Sequence, residues 1–349
     1  MTGLSRFGLG FAAFVLATLA TPAAAQPDPD SDGPRHLVRA SVLIYPVFDI
    51  RPGFNTLVTV TNTNTDRRVH DNGFRTGDVT VHFVYVDGES WAESDLPEDL
   101  TPGDTITVRV TDHQTDNLRG WLWVEARDPE FPDRPIDFDF LIGSAILTNM
   151  DFNLDWEYAP YSFRSLICEN GERKDEHKYT GESGNGHCYV EDPEEPDGFL
   201  NFDGIEYDFF PDELYVDQFF GEGMPADKLP GATFANTIYI LSTEMVGTVL
   251  NLLFYNNNER FTSRANQRFD CWTGRPLSGF GTIANHDQIR GNYNPNELRG
   301  IPYGWVLIRS NDPILACFVQ RITRGAFTFI AGDAVHFAGT QEASIERFF

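Results

Sequence analysis

GWLWVEARDP, Gly120–Pro129, returns as GWVLIRSNDP at Gly304–Pro313 without a gap. Glycine, tryptophan, aspartate and proline stand at matching places. Leu122, Val124 and Ala126 answer Val306, Ile308 and Ser310, the period of two of a strand with one packed face, and Asp-Pro closes each copy as a turn. Leu-Arg-Gly leads into both copies, from Leu118 and from Leu298. Upstream, Asn55-Thr56 opens NTLVTV and Asn236-Thr237 opens NTIYIL at a similar separation. Downstream, AFTFIAGDA follows the second copy much as IDFDFLIGSA follows the first, with Asp137 and Asp139 answered by Ala326 and Thr328. A repeat at this spacing implies two related β-domains in tandem.

The remaining pattern agrees with strands. Leu37–Phe48, Thr56–Thr61, Asp78–Val86, Asp104–Val110, Trp121–Ala126 and Ile136–Ile142 are expected strands of the first domain. Thr237–Leu241, Thr248–Tyr255, Tyr303–Arg309, Ile314–Ile322 and Ala326–Ala331 are those of the second, and Phe269 to Asn292 reads as loop. None of the first domain's segments has a convincing 3.6-residue period. Short strands punctuated by Gly, Pro and Asp turns predict an all-β fold, two tandem immunoglobulin-like antiparallel β-sandwich domains. The expected division is a signal peptide over 1–25, an acidic leader over 26–36, a first sandwich over 37–150, an acidic, aromatic-rich insertion over 151–228 and a second sandwich over 229–349. NTLVTVTNTN, GWLWVEARDP and IDFDFLIGSA also resemble stretches of secreted bacterial β-proteins of unassigned function. That resemblance implies export and β structure and carries no catalytic residue across.

The N-terminal segment fits export. Arg6 precedes an apolar run from Phe7 to Ala20, and Ala23 and Ala25 offer small residues for cleavage before Gln26. No later apolar run reaches the roughly 18 residues of a spanning helix. Four cysteines in an exported chain suggest disulfides, with neighbours paired: Cys168 with Cys188 and Cys271 with Cys317. The rival reading is a zinc site of Cys168, His177, His187 and Cys188, at a spacing unlike known zinc motifs.

The net charge is -26, and it is uneven. Residues 151–228 hold 21 acidic against 5 basic side chains, whereas 229–349 hold 9 against 10. Such a field disfavours nucleic acid and favours cations or basic partners. Asp28, Asp30, Asp32 and Gly33 have the spacing of a calcium loop, but Arg39 occupies the place of its bidentate Glu. No cofactor is expected; Asn201, Asp203, Glu206 and Asp208 around Gly204 are the better candidates for weak calcium binding, against a solvated face as the default.

Catalytic signatures are sparse. The sequence contains no G-x-S-x-G elbow and no H-E-x-x-H, and no dinucleotide fingerprint precedes a helix. Asp137 and Asp139 on one strand face leave a carboxylate-dependent glycan hydrolase as an alternative. A terminal Phe349 suggests an outer-membrane barrel strand, although Arg347 interrupts its apolar face. The favoured expectation is a non-enzymatic binding or structural protein of the periplasm or cell surface, with a protein or glycan partner.

Overall fold

The computed structural model describes residues 38–349 except 115, 150–153, 170–171, 174–182, 192–195, 224–229, 246, 257–260, 282–283, 286–288, 290–302, 326 and 348–349. The expected signal peptide and acidic leader, Asp28, Asp30, Asp32 and His177 lie outside the described residues. The first strands are β1 (Val42–Asp49), β2 (Phe54–Asn62), β3 (Val79–Asp87), β4 (Glu93–Leu100) and β5 (Thr105–Arg109). They are followed by β6 (Arg119–Arg127), β7 (Leu141–Asn149), β8 (Leu154–Tyr158) and β9 (Tyr161–Phe163). Three short strands come next, β10 (Cys168–Glu169), β11 (Glu172–Arg173) and β12 (Phe199–Phe202). The chain continues through β13 (Glu213–Phe220), β14 (Ala232–Ser242), β15 (Thr248–Asn256), β16 (Phe261–Phe269) and β17 (Trp272–Pro276). It ends in β18 (Tyr303–Ser310), β19 (Ile314–Arg324), β20 (Phe327–Ala334), β21 (His336–Ala338) and β22 (Ala343–Glu346).

Nearly all of this is antiparallel sheet. One pair of sheets has the orders β4-β3-β6-β1-β9 and β5-β2-β7-β8. The other has β16-β15-β18-β13-β21 and β17-β14-β19-β20, the same order strand for strand. Each sheet has two edges, and none closes into a barrel.

The repeated decapeptide sits on β6 and β18, the central strands of the two five-stranded sheets. Gly120 lies opposite Phe48 and Asp87, and Gly304 opposite Phe219 and Asn256. Both glycines are required by closeness rather than by backbone angle. A Cβ at Gly120 would stand 1.9 Å from the Val86 carbonyl oxygen, and one at Gly304 2.3 Å from that of Tyr255. Beside each glycine the neighbouring strand slips register, between Tyr45 and Phe48 in β1 and between Val216 and Phe219 in β13. A bulge of this kind bends a strand and re-aims its side chains.

Several expectations change. Thr56 is buried whereas Thr237 faces outward, so Thr56 matches buried Asn236 and the two Asn-Thr pairs are one residue out of step. A one-residue slip exchanges the faces of a strand. FTFIAGDA, Phe327–Ala334, forms edge strand β20, whose place in the first sheets belongs to β8, while IDFDFLIGSA runs into inner strand β7. Finally, the acidic stretch 151–228 is not set apart from the sheets. It supplies β8 and β9 to the first pair and inner strand β13 to the second. Phe269 to Asn292, expected as loop, contains β17 and a 3-10 turn at Leu277–Phe280.

The inner faces of each sheet pair meet in an apolar core, led in the first by Tyr45, Phe48, Phe83 and Tyr85, and in the second by Leu214, Phe254, Ile308 and Ile240. Each such side chain contributes about 1.5–3 kcal/mol on burial. The halves are fastened to one another through buried donors. The Trp272 indole N–H donates to the Pro46 carbonyl at 2.9 Å, and the Tyr161 hydroxyl to that of Ala316 at 2.8 Å. Trp156 lies flat on Gly332, where a Cβ would approach its ring to 2.5 Å, and stacks on Tyr239 at 6.1 Å.

Candidate functional site

The two sheet pairs differ most at one flank, beside the edge strands β8 and β20. On the first, Leu147 and Ala145 of β7 face Trp156 and Tyr158 of β8. On the second, Gln320 and Phe318 of β19 face Ala331 and Asp333 of β20. Counting along β7 and β19 from their first residues, Leu141 and Ile314, places Ala145 with Phe318 and Leu147 with Gln320. Tyr158 therefore answers Asp333, and Trp156 answers Ala331.

Tyr158 fills the gap between the two sheets of its half. It is buried, stands edge-on to Tyr45 at 6.3 Å, and donates its hydroxyl to the Val47 carbonyl inside the β1 bulge. Burial pushes the phenol pKa well up, so the hydroxyl keeps its proton and acts as a donor. In the second half, with Ala331 and Asp333 in those places, a cavity of about 390 Å³ opens beside the corresponding bulge. Asp217 and Gln218 of that bulge, Phe318 and Gln320 of β19, and Ala331 and Asp333 of β20 line it. At its rim the His336 Nε2 lies 3.6 Å from Asp217 Oδ2, both side chains being largely exposed. No Lys or Arg is among the lining residues. Along β20 from the cavity, Phe327 and Phe329 remain 71% and 63% exposed.

A second difference concerns the outer faces of the five-stranded sheets. Trp121 and Trp123 of β6 are buried, with Trp91 edge-on to Trp121 at 6.3 Å, and a ribbon made by β12 and β22 with the chain around Tyr207 reaches Glu125 of the same strand. The ribbon is pinned at Glu125, which accepts from Arg347 at 2.7 and 3.1 Å, from Arg127 at 3.1 Å and from the Tyr207 hydroxyl at 3.2 Å. Arg347 also pairs with Glu191. Burial works against the Glu125 carboxylate, but Arg347 and Arg127 hold its pKa below the usual range. Among the described residues, the corresponding face of the second half has no such ribbon. Trp305 is half-exposed there, stacked on Tyr255 at 3.9 Å, with Phe261 beside them 65% exposed. Arg309, which stands where Glu125 does, pairs with Glu213 at the surface.

The residues expected to bind or react are mostly occupied. Asp137 accepts from the Cys168 backbone N–H at 2.9 Å, and Asp139 from the Ser165 N–H at 2.9 Å and the Ser41 hydroxyl at 2.8 Å. Both carboxylates thus hold the chain that follows β9. Burial, with Asp137 beside it, pushes the Asp139 carboxyl up to about 8. Of the calcium candidates, Asp208 is buried and bound by Arg164 through three N–H groups at 2.9–3.0 Å. Asp203 caps its own turn by accepting from the Ile205 and Glu206 N–H groups, and Asn201 is held by Asp197 and Ser344. Glu206 is pushed up to about 7, chiefly by burial. Glu206 is hydrogen-bonded to Asn201, and no group of three or more His, Cys, Asp and Glu among the described residues could hold a metal ion.

Cys168 and Cys188 are joined, with Cα atoms 6.5 Å apart. Their bond removes two of the zinc candidates, and His187 is engaged with the Thr76 carbonyl at 2.6 Å. Cys271 and Cys317 are free thiols, both buried, against the expected pairing. Cys271 just precedes β17 and Cys317 is on β19, with β14 between them. Two strand spacings are about 9.6 Å, beyond the roughly 7 Å reach of a disulfide. Burial pushes the Cys271 thiol up to about 12.

No protein family model and no curated protein matches the chain. Among solved structures, Thermotoga maritima 1070 aligns over 38% of this chain and 98% of its own at 8% identity, with a TM-score of 0.26. The exported protein XepA of PBSX aligns over 80% of this chain and 84% of its own, at 8% identity and a TM-score of 0.19. The chemokine-binding protein R17 of rodent gammaherpesvirus Peru aligns over 85% and 84%, at 8% identity and 0.18. Likenesses this slight carry no argument about function.

Asp333, Ala331 and Asp217, the residues that make the cavity, were not singled out by sequence reasoning. The available signal was the alternation of DFNLDWEY at 151–158 beside AFTFIAGD at 326–333, which align without a gap once β8 and β20 are known to correspond.

Proposed function

We propose that this is an exported, non-enzymatic binding protein built of two tandem immunoglobulin-like domains, and that it holds its ligand at the flank of the second. The cavity beside Ala331 and Asp333 carries this reading. A domain that fills the same space with Trp156 and Tyr158 in one copy and leaves about 390 Å³ in the other has kept its frame while giving up apolar packing. Small-molecule sites typically occupy about 300–1,000 Å³, with an apolar wall and a few placed polar groups. The matching strand orders, the two bulges and the two closely approached glycines support common descent of the halves. Export is supported by the Cys168–Cys188 bond and by the N-terminal sequence pattern, and no helix among the described residues is long and apolar enough to cross a membrane.

The test is a thermal-shift screen of small organic ligands against the purified protein and against Ala331→Trp. The reading expects hits whose stabilisation disappears in the variant. Hits that stabilise both proteins equally would place binding elsewhere and overturn it.

A further inference from the structure

The same flank also suggests what kind of molecule would occupy it. We infer that the cavity takes a small aromatic amine, its ring lying where the Tyr158 ring lies in the first half and its ammonium group meeting Asp217 and Asp333. This rests on the reading of the cavity as a binding site, and adds the chemistry of the occupant.

The first half provides the measure of the space. There one phenol ring fits between the sheets beside a bulge and gives its hydrogen to a bulge carbonyl, that of Val47. The bulge recurs in the second half between Val216 and Phe219, and Asp217 and Gln218, its two residues set against the one residue Trp305, line the cavity. Phe318 supplies an aromatic wall where the first half has Ala145. A flat ring is thus the shape the frame already accommodates.

The charges decide the rest. Replacing Tyr158 by Asp333 exchanges a donor for an acceptor, and Asp217 adds a second carboxylate where the first half has Pro46. His336 at the rim faces Asp217, and no Lys or Arg lines the space to answer Asp333. A ligand with an anionic group would meet two carboxylates. One with an ammonium group gains charge-assisted hydrogen bonds, which are stronger than neutral ones. An ammonium group with no ring would leave Phe318 and the apolar wall uncovered.

Tyramine is a suitable probe, measured by calorimetric titration into the purified full chain at 150 mM salt. 4-Ethylphenol, which lacks the charge, and butylamine, which lacks the ring, serve as comparisons. Tyramine should bind one site at least tenfold more tightly than either. Ala331→Trp should abolish binding, and Asp333→Asn should bring tyramine down about tenfold, to the level of 4-ethylphenol, while leaving 4-ethylphenol unchanged. A cooperative melt establishes that each variant is folded, and Asp333→Asn, which changes charge with little change of shape, keeps the test open if Ala331→Trp does not fold. If 4-ethylphenol binds as tightly as tyramine and Asp333→Asn changes neither, the amine is wrong although the cavity remains a site. If tyramine binds Ala331→Trp as it binds the parent, the ligand lies elsewhere and both readings fail. If none of the three probes binds, the aromatic-amine assignment is overturned.

Discussion

The first half of this molecule is closed at two places where the second is open. Both have the same strand order, the same bulge and the same tryptophan on the central strand. In the first, a C-terminal ribbon reaches Glu125 on the outer face and Trp156 and Tyr158 fill the flank. In the second, Trp305, Tyr255 and Phe261 remain partly or largely exposed, and Ala331 and Asp333 leave a cavity. The frame needs neither the ribbon nor the filling in order to form. What differs is in the side chains of an edge strand and in segments added to the frame, where change costs least folding free energy.

The comparison can be broken most forcefully at the charges. Arg347→Ala leaves buried Glu125 with the Arg127 ion pair alone and takes from buried Glu191 its ion pair with Arg347, a loss of about 3–5 kcal/mol. Arg309→Ala at the corresponding central strand removes only a surface pair, and its melting temperature should match the parent's. Equal losses in denaturant melts of the two would deny that the faces differ. The tryptophans come next. Trp121→Ala empties a filled space and should cost about 3–5 kcal/mol, and Trp305→Ala distinctly less. Acrylamide should quench the emission lost in Trp305→Ala more readily than that lost in Trp121→Ala.

The contact between the halves supplies a smaller effect. Gly332→Ala drives a methyl group against Trp156 and should cost about 1–3 kcal/mol. Glu157, the corresponding residue of β8, is exposed, and Glu157→Ala should leave the unfolding midpoint unchanged. The smallest effect is one of pH. The Asp139 carboxyl has its pKa pushed up to about 8 by burial and by Asp137, so the fold favours its protonated form. Its contribution is full below the ordinary carboxylate range and is lost as pH rises through 8. Asp139→Asn should therefore flatten the fall of melting temperature between pH 5 and 9. The second half has no equivalent, because Pro313 leads directly into β19 whereas eleven residues, 130–140, separate Pro129 from β7.

The frame was legible in the sequence where the period of two was clean. Val79, Val81 and Phe83 alternate with Thr80 and His82 at the start of β3, and the shared glycine and tryptophan marked both decapeptides as strands. Strand β4 was missed because Glu93–Leu100, ESDLPEDL, carries acids and a proline, and only an edge position, where Pro97 owes no ladder hydrogen bond on its outer side, makes it a strand. Strand β13 was hidden for a related reason: its acids suggested an insertion, although Leu214, Val216 and Phe219 are core. The cavity was illegible because it is a difference between two pairings. Nothing in Ala331 or Asp333 marks them until β20 is set against β8. The expected Cys271–Cys317 bond failed because sequence proximity says nothing of a strand lying between.

The claim that β20 differs from β8 by having lost its filling can be tested by restoring it. Differential scanning calorimetry of Ala331→Trp combined with Asp333→Tyr should show one cooperative transition at a higher melting temperature than the parent, since the two rings enter a space already framed for them. A lower melting temperature, or a broadened transition, would mean that the space beside the β13 bulge is not the counterpart of the one Tyr158 fills, and the account of the two halves would be wrong.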